Sequence, residues 1–240
     1  LRNEKLKIAL IDKSTFPRDK ICGDALSADV VNQLYRIDER LGKDFENFST
    51  KIDSHGVRFY APNGNVLDID FKNPVHGKAA GYISKRIDFD NFWFSQISNQ
   101  PNIDIYLNEQ ITEVTANSSE ALVVTSSSKY EAKMVIGADG AHSIVNKQLG
   151  SIKVEKNHYC AGLRQYYKGV ANFHPQNHIE LHFYNEVLPG YFWIFPLPNG
   201  EANVGIGMLS SEVSNQKINL KERMSEIIAS HPNVKERFKN

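Results

Sequence analysis

Two kinds of backbone pattern alternate along this chain, and that alternation constrains the fold more than any single motif. Residues 1–50 and 86–150 carry short apolar runs that end in an acid or a glycine and lead into helical periodicity, the signature of α/β structure. Residues 55–84 and 158–210 carry alternating runs broken by Pro, Asn and Gly, the signature of antiparallel strands. An α/β element that is interrupted and then resumed implies two interleaved domains rather than two consecutive ones. The fold class expected is therefore α/β with mixed α+β character.

The local signals fill in this plan. KIALID, residues 7–12, is a short β-rich run ending in an acid, as a buried parallel strand does. Val31, Leu34 and Tyr35 set helical spacing over residues 28–37, while residues 38–54 are polar and carry no clear pattern. GVRFYA and NVLDIDF flank Pro62-Asn63-Gly64, which predicts a hairpin over 56–71. Phe89, Phe92, Trp93 and Ile97 predict a helix, followed by a strand at 103–107. ITEVTA, ALVVTS and KMVIG predict a small meander over 111–136, closed by GADGAHS and a short helix to Leu149. Near the end, Asn219 caps an amphipathic helix with Glu222 at the third position of a capping box and Leu220, Met224, Ile227 and Ile228 on one face. The opening LRNEKLKIALID has the look of a helix end running straight into a strand, as in a chain that has been cut.

Composition narrows the function. Among 240 residues, 28 basic and 28 acidic side chains cancel, so no net field draws nucleic acid or anionic lipid. Two distant cysteines, Cys22 and Cys160, and the lack of a signal-like leader point to a reducing cytoplasm. No apolar run is long enough to span a bilayer, which leaves a peripheral contact with lipid open. No CxxC or Cys/His spacing suggests a metal, and His174 with His178 fall in a loop-to-strand stretch rather than on one helical face, so no metal is expected.

The residues able to carry chemistry are few. Asp12 ends the first strand, where doubly wound folds place an acid against a dinucleotide ribose, although strand-terminal acids are also common without one. GADG, residues 137–140, follows an apolar strand and precedes a helix, so Asp139 and Gly140 stand where backbone N–H groups meet an anion, or simply make a turn. Cys22 lies in KICGD, two residues from a lysine. In YFWIFPLPNGEANVGIG, residues 191–207, a two-residue turn at Asn199-Gly200 would pair Tyr191 with Met208, Trp193 with Ile206 and Phe195 with Val204. The opposite face would then pair Phe192 with Gly207 and Ile194 with Gly205, leaving room for something flat or bulky. The same pattern is also that of an ordinary core hairpin, or of the apolar wall that a long hydrocarbon requires.

FPRDKICGD, RIDFD, GADGAHSIV and YFWIFP with a GIG eight residues on, in this order, resemble the geranylgeranyl reductase family of FAD-dependent oxidoreductases, flavoproteins shaped like para-hydroxybenzoate hydroxylase. The resemblance covers nearly the whole chain. It implies that Asp12 binds the adenosine ribose of FAD, that Cys22, Gly23 and Ala25 line the flavin, and that Arg86 reaches the cofactor. It further implies that the backbone at Ile111 meets the adenine and that Asp139 and Gly140 lie near the ribose and pyrophosphate. Tyr191, Trp193, Phe195 and Pro196 would line a prenyl tunnel, with Gly205 and Gly207 beside it.

The chain departs from the family pattern where a GxGxxG loop should precede it and a GD motif should follow, and Asn146 and Ala25 replace a frequent arginine and glycine. The implied domains are a partial FAD-binding domain at 1–54 and 85–150, a substrate domain at 55–84 and 151–212, and a C-terminal helix at 213–240. The implied activity is reduction of C=C bonds in a prenyl chain of a lipid or quinone precursor. NAD(P)H or another reductant, or an electron-donor protein, would supply electrons, and Cys22 is the candidate catalytic side chain. A monooxygenase or halogenase acting on an aromatic or polyketide-like substrate, or an incomplete non-catalytic fragment, are the alternatives.

Overall fold

The computed structural model describes residues 5–72, 76, 79–153 and 155–238; the expected helix end over LRNE lies outside them. In chain order the strands are β1 (Ile8–Asp12), β2 (Ala25–Leu26), β3 (Ile52–Ser54), β4 (Gly56–Tyr60), β5 (Val66–Asp70), β6 (Gly81–Ile83), β7 (Ile103–Leu107), β8 (Ile111–Ala116), β9 (Ala121–Thr125), β10 (Lys129–Ala132), β11 (Cys160–Lys168), β12 (Ile179–His182), β13 (Gly190–Leu197) and β14 (Glu201–Leu209). The helices are α1 (Ala28–Ile37), α2 (Glu39–Glu46), α3 (Arg86–Ile97), α4 (Ile144–Leu149), α5 (Ser210–Asn215), α6 (Leu220–Ser230) and α7 (Pro232–Lys235).

Two compact units share the chain: Leu1–Arg18 with Trp93–Val154, and Asp19–Phe92 with Glu155–Asn240. This spatial division differs from the expected domain limits, because residues 19–54 cluster with the second unit. Strands β2 and β3 both pair with β6, and Phe45 packs edge-on against Tyr82, Phe89 and Phe92. The patternless stretch 38–54 thus holds α2, whose cap Asp38 accepts from the Arg40 N–H at 2.8 Å, and β3.

In the smaller unit β1 pairs in parallel with β7, Ile8 opposite Ile103 through Asp12 opposite Leu107. Strands β10, β9 and β8 form an antiparallel meander. The third strand is not KMVIG as expected but Lys129–Ala132, one step earlier. The tight turn after Thr125 sets Lys129 against Val124 and exhausts the β9 ladder at Ala132. Residues 133–137 have no strand partner among the described residues, and Met134 and Ile136 are exposed.

In the larger unit the two expected antiparallel blocks join into one six-stranded sheet, ordered β11-β14-β13-β12-β4-β5. One junction corrects the expectation: β12 runs parallel to β4, Leu181 opposite Phe59. The hairpin β4–β5 closes as predicted, with the Ala61 N–H donating to the Asn65 carbonyl at 2.9 Å.

The β13–β14 register also differs from expectation. Tyr191 faces Gly207, Trp193 faces Gly205 and Phe195 faces Asn203, one residue away from the two-residue-turn register. The connection is a three-residue turn, Pro198–Gly200, with Asn199 at φ 64° and Gly200 at φ 70°, and a shift of one residue moves every partner to the other face. Phe192 and Ile194 therefore meet Ile206 and Val204, and the glycines lie beside Tyr191 and Trp193.

The two faces of this sheet bury different things. Phe192, Ile194, Val204, Ile206 and Met208 form a core with Met224 and Ile227 of α6 and Val234 of α7. Burying each such large apolar side chain stabilises by about 1.5–3 kcal/mol. Helix α6 is held there by its cap, Asn219, which accepts from the N–H groups of Lys221 and Glu222 at 3.1 and 3.4 Å. The other face packs Trp193, Phe195 and Leu197 with Ile83, Ile179 and Leu181, and it carries the features described next.

Candidate functional site

The second face of the six-stranded sheet is floored by glycine and walled by aromatic rings. Gly162, Gly207 and Tyr191 stand in one cross-strand row, and Arg164, Gly205 and Trp193 in the next. The glycines differ in use. A Cβ on Gly205 would lie 2.1 Å from Trp193 Cζ2 and 2.5 Å from the Leu163 carbonyl oxygen, so the indole already fills that space. A Cβ on Gly207 would meet nothing nearer than 3.7 Å, and one on Gly162 nothing nearer than 3.5 Å, so the floor there is open.

From this floor a row of rings crosses the sheet. Phe195, Trp193, Tyr191, Phe183 and Phe59 follow one another at centroid separations of 6.3, 5.9, 6.1 and 6.1 Å. Phe195 and Trp193 are buried, at 6% and 8% exposed, Tyr191 is 40% exposed, and Phe183 and Phe59 beyond it are half-buried. Strand β5 extends the apolar face with Leu67 and Ile69, both exposed. An exposed apolar track of this kind suits a long, flexible hydrocarbon better than a compact polar ligand.

The buried end of the row meets the loop that carries Cys22. Gly23 packs on Phe195 so closely that a Cβ there would lie 2.8 Å from Phe195 Cε2. The Cys22 carbonyl accepts from Asn203 Nδ2 at 2.7 Å, and the same nitrogen donates to Asp24 Oδ2 at 2.8 Å. Asn203 Oδ1 accepts the Trp193 indole N–H at 2.9 Å. Asp24, at φ 69° and buried, also takes the Tyr166 hydroxyl at 2.9 Å and the Arg86 backbone N–H at 3.1 Å. Burial pushes its carboxyl above the usual range, against the hydrogen bonds from Asn203, Tyr166 and the Arg86 N–H. Burial and the Asp24 carboxylate push the Tyr166 phenol upward in turn.

Charge is concentrated around this loop. Arg164 clamps the Asp19 carboxylate with one guanidinium nitrogen and lies 4.0 Å from the centre of the Tyr166 ring. Arg86 does not extend freely from its helix: it pairs in two-pronged fashion with Asp90, at 2.6 and 2.8 Å, one turn along α3. Burial works against the Arg86 charge, but Asp90 and the neighbouring Cys22 side chain together hold its pKa above the ordinary arginine value. The cation beside Cys22 is thus a guanidinium from α3.

The smaller unit holds the other expected residues. Asp12 ends β1, with Oδ1 accepting from the Ser14 N–H at 2.8 Å and Oδ2 3.7 Å from Arg18. The acid is partly exposed, and its second oxygen keeps acceptor capacity suited to a hydroxyl. Ile111 opens β8 opposite Thr125. Asp139 accepts from the N–H groups of Ile144 and Val145 in the first turn of α4 at 2.7 and 3.3 Å, while the N-cap Ser143 accepts from the Asn146 N–H at 2.9 Å. Burial raises the Asp139 pKa, but Ser143 and the N–H groups of Ile144 and Val145 outweigh burial and hold the carboxyl below the usual range. Gly140 sits at φ 80° with open space beside it. The donors of this helix end are therefore already used, so the described residues fit the ribose end of a dinucleotide better than its pyrophosphate.

Of the six residues expected to form the wall, five share one face: Tyr191, Trp193, Phe195, Gly205 and Gly207. Pro196 points the other way, because it pairs with Ala202 on the helix-covered side. Sequence reasoning missed Phe59 of β4 and Phe183, the residue that follows β12, which both reach the row, and it missed the Asp24–Asn203 pair. A signal for the last existed: Asn203 is the one amide within the apolar run ANVGIG. Elsewhere, Asp68, His174 and His178 bring ligand atoms within 4.8 Å of one another. Arg58 already holds both Asp68 oxygens and the Gln176 N–H occupies His174 Nδ1, so two of the three donors are engaged.

Comparison with known proteins locates this face in a larger group. Residues 162–239, which contain nearly all of β11 and the whole of β12, β13 and β14, match the geranylgeranyl reductase catalytic domain. A menaquinone reductase of Mycolicibacterium smegmatis is 30% identical over 210 residues, which make up 85% of this chain and 49% of that protein. A digeranylgeranylglycerophospholipid reductase of Methanosarcina acetivorans is 29% identical over 221 residues, 88% of this chain and 51% of that protein. The chain thus spans about half the length of the curated relatives it matches. Among solved structures, a geranylgeranyl bacteriochlorophyll reductase-like protein of Thermoplasma acidophilum superposes with a TM-score of 0.76 at 23% identity, covering 95% of this chain and 57% of that one. A flavin-dependent brominase superposes at 0.79 with 20% identity, covering 100% and 60%. These last two likenesses establish the fold alone.

Proposed function

Because the chain belongs to the geranylgeranyl reductase family, we propose that the protein saturates C=C bonds of a prenyl chain borne by a lipid or a quinone, with FAD as cofactor. The observation that carries this reading is the second face of the six-stranded sheet. Its open glycine floor and aromatic row offer length and flatness, and the hydrogen-bonded polar cluster of Asn203, Asp24 and Tyr166 lies at the buried end near Cys22.

When bound, reduced flavin supplies hydride chemistry that no side chain provides. The chain's own part is binding, orientation and proton supply. Asp12 would accept hydroxyls of the adenosine ribose, Gly140 would allow close approach of the cofactor, and Gly23 and Ala25 would line the flavin. Tyr191, Trp193 and Phe195 would hold the prenyl chain and keep water from it. We assign the Cys22 thiol as proton source for the alkene carbon that does not receive hydride, with the thiol reprotonated from solvent. NAD(P)H or a partner protein would restore the reduced cofactor, and an apolar substrate of this class implies transient contact with a lipid surface.

Anaerobic reduction of the flavin-loaded protein followed by mixing with a geranylgeranyl lipid tests the reading. Reoxidation with a mass gain of one H2 per bond is the expected result. Reoxidation only by oxygen, coupled to an aromatic substrate, would favour a monooxygenase or halogenase. Cys22→Ser is expected to lower turnover by about 10²–10⁴, the usual worth of a proton donor; unchanged turnover removes Cys22 from the reaction.

A further inference from the structure

Asn203, the third residue of β14, lies between Tyr166 on β11 and Phe195 on β13, with no solvent exposure. A buried amide carries donors and acceptors that each need a partner, and its flanking positions, Ala202 and Val204, show what the strand otherwise prefers. Both N–H groups and the oxygen of this amide are engaged. Oδ1 takes the Trp193 indole N–H at 2.9 Å, and Nδ2 gives to the Cys22 carbonyl at 2.7 Å and to Asp24 Oδ2 at 2.8 Å. The amide is planar, so rotation that would follow a moving indole also breaks the two bonds to the loop. Asp24 cannot compensate, because Tyr166 and the Arg86 N–H hold its carboxylate from two other elements.

We propose that Asn203 is a positioning residue that sets the orientation of Trp193 and the backbone of the Cys22–Asp24 loop together. The aromatic wall and the thiol then move as one unit, and a chain seated against Trp193 is registered to Cys22 through a single side chain. Calling this a substrate site rests on the function proposed above. The coupling itself is a property of the chain without flavin or lipid, so its test is independent of that reading.

The test uses the 240-residue chain carrying Cys160→Ser and Trp93→Phe, which leaves one thiol and one indole. The rate of Cys22 alkylation by iodoacetamide and the emission and near-ultraviolet circular dichroism of Trp193 are measured. Asn203→Asp keeps the acceptor for the indole, removes both donors to the loop and sets a second carboxylate beside Asp24. It is expected to speed alkylation about tenfold and to shift the Trp193 signals, given the usual cost of orphaned buried groups. Trp193→Phe touches no bond to the loop, yet it is expected to speed alkylation about threefold by freeing the amide. Ile194→Val, on the helix-covered face, weakens packing without touching the network and is expected to leave the alkylation rate as it was. A folded Asn203→Asp protein with an unchanged alkylation rate overturns the proposal, as does an equal acceleration in Ile194→Val. Should Asn203→Asp not fold, Trp193→Phe decides: acceleration supports the coupling, and an unchanged rate ends it.

Discussion

At the scale of single residues, the heaviest electrostatic commitment lies on the helix-covered face. Glu180, His182 and Arg237 are all buried, and Arg237 meets both Glu180 oxygens while its Nε–H donates to the Ala171 carbonyl at 2.9 Å. Breaking such a pair leaves a charge stranded in the core, so Arg237→Met is expected to cost about 3–5 kcal/mol in urea unfolding. The same cluster predicts a pH dependence. Burial alone would raise the Glu180 carboxyl, but His182 and Arg237 outweigh it and hold it below its ordinary 4.5. Burial pushes His182 below its ordinary 6.5, and His178 moves the same way. A depressed folded pKa contributes stability that is complete above the unfolded pKa and is lost as pH falls through the folded one. Thermal stability should therefore begin to fall below 6.5, where the unfolded histidines protonate first, and fall again below 4.5 as Glu180 is titrated. His182→Gln should shrink the upper step and, because it removes one of the two groups that hold Glu180 low, the lower one as well; an unchanged upper step in that variant refutes the assignment.

At the scale of elements, the β13–β14 hairpin shows how one residue of turn length decides which side of a sheet is the site. Gly205 and Gly207 make this testable. Gly205→Ala drives a methyl into the Trp193 ring and the Leu163 carbonyl, and overpacking against backbone costs about 1–3 kcal/mol or more. Gly207→Ala meets only ordinary contacts and should leave urea midpoints unchanged while narrowing the open floor. Under the two-residue-turn register the roles would differ, with Ile194 and Phe192 as the neighbours of these glycines. Elements with their own punctuation were legible from sequence: the Asn219 cap of α6, the Pro62-Asn63-Gly64 hairpin and the strand ending at Asp12 all stand where local chemistry put them. Pro198-Asn199-Gly200 satisfies both a two-residue and a three-residue connection, and only packing of the indole onto Gly205 separates them. The third strand of the meander was lost for a related reason. KMVIG has strand composition, but strand propensity expresses burial and pairing that the residues themselves do not supply.

At the scale of the whole molecule, the parts of the candidate site that the sequence names are those written as contiguous motifs, and the parts it does not name are those assembled across long sequence separations. Asn203 and Asp24 lie 179 positions apart, and Phe59 enters the aromatic row only because β4 runs parallel to β12. No local pattern encodes either. The same consideration bears on the cofactor. A dinucleotide pyrophosphate is held mainly by unpaired N–H groups at a helix N-terminus and by a glycine loop before it. No GxGxxG occurs in these 240 residues, and the N–H groups of Ile144 and Val145 are already bonded to Asp139. What the smaller unit does offer is Asp12, whose carboxylate is partly accessible at the end of β1. The 240-residue chain is therefore expected to bind FAD weakly, with the adenosine end contributing most of the affinity. Titration followed by flavin fluorescence should show binding no tighter than high micromolar, with AMP competing almost as well as FAD. Asp12→Asn should reduce both affinities by about tenfold, the worth of one charge-assisted hydrogen bond pair. A chain that purifies yellow, or one whose affinity for FAD far exceeds its affinity for AMP, would show that residues of this chain do hold the pyrophosphate and would overturn the expectation.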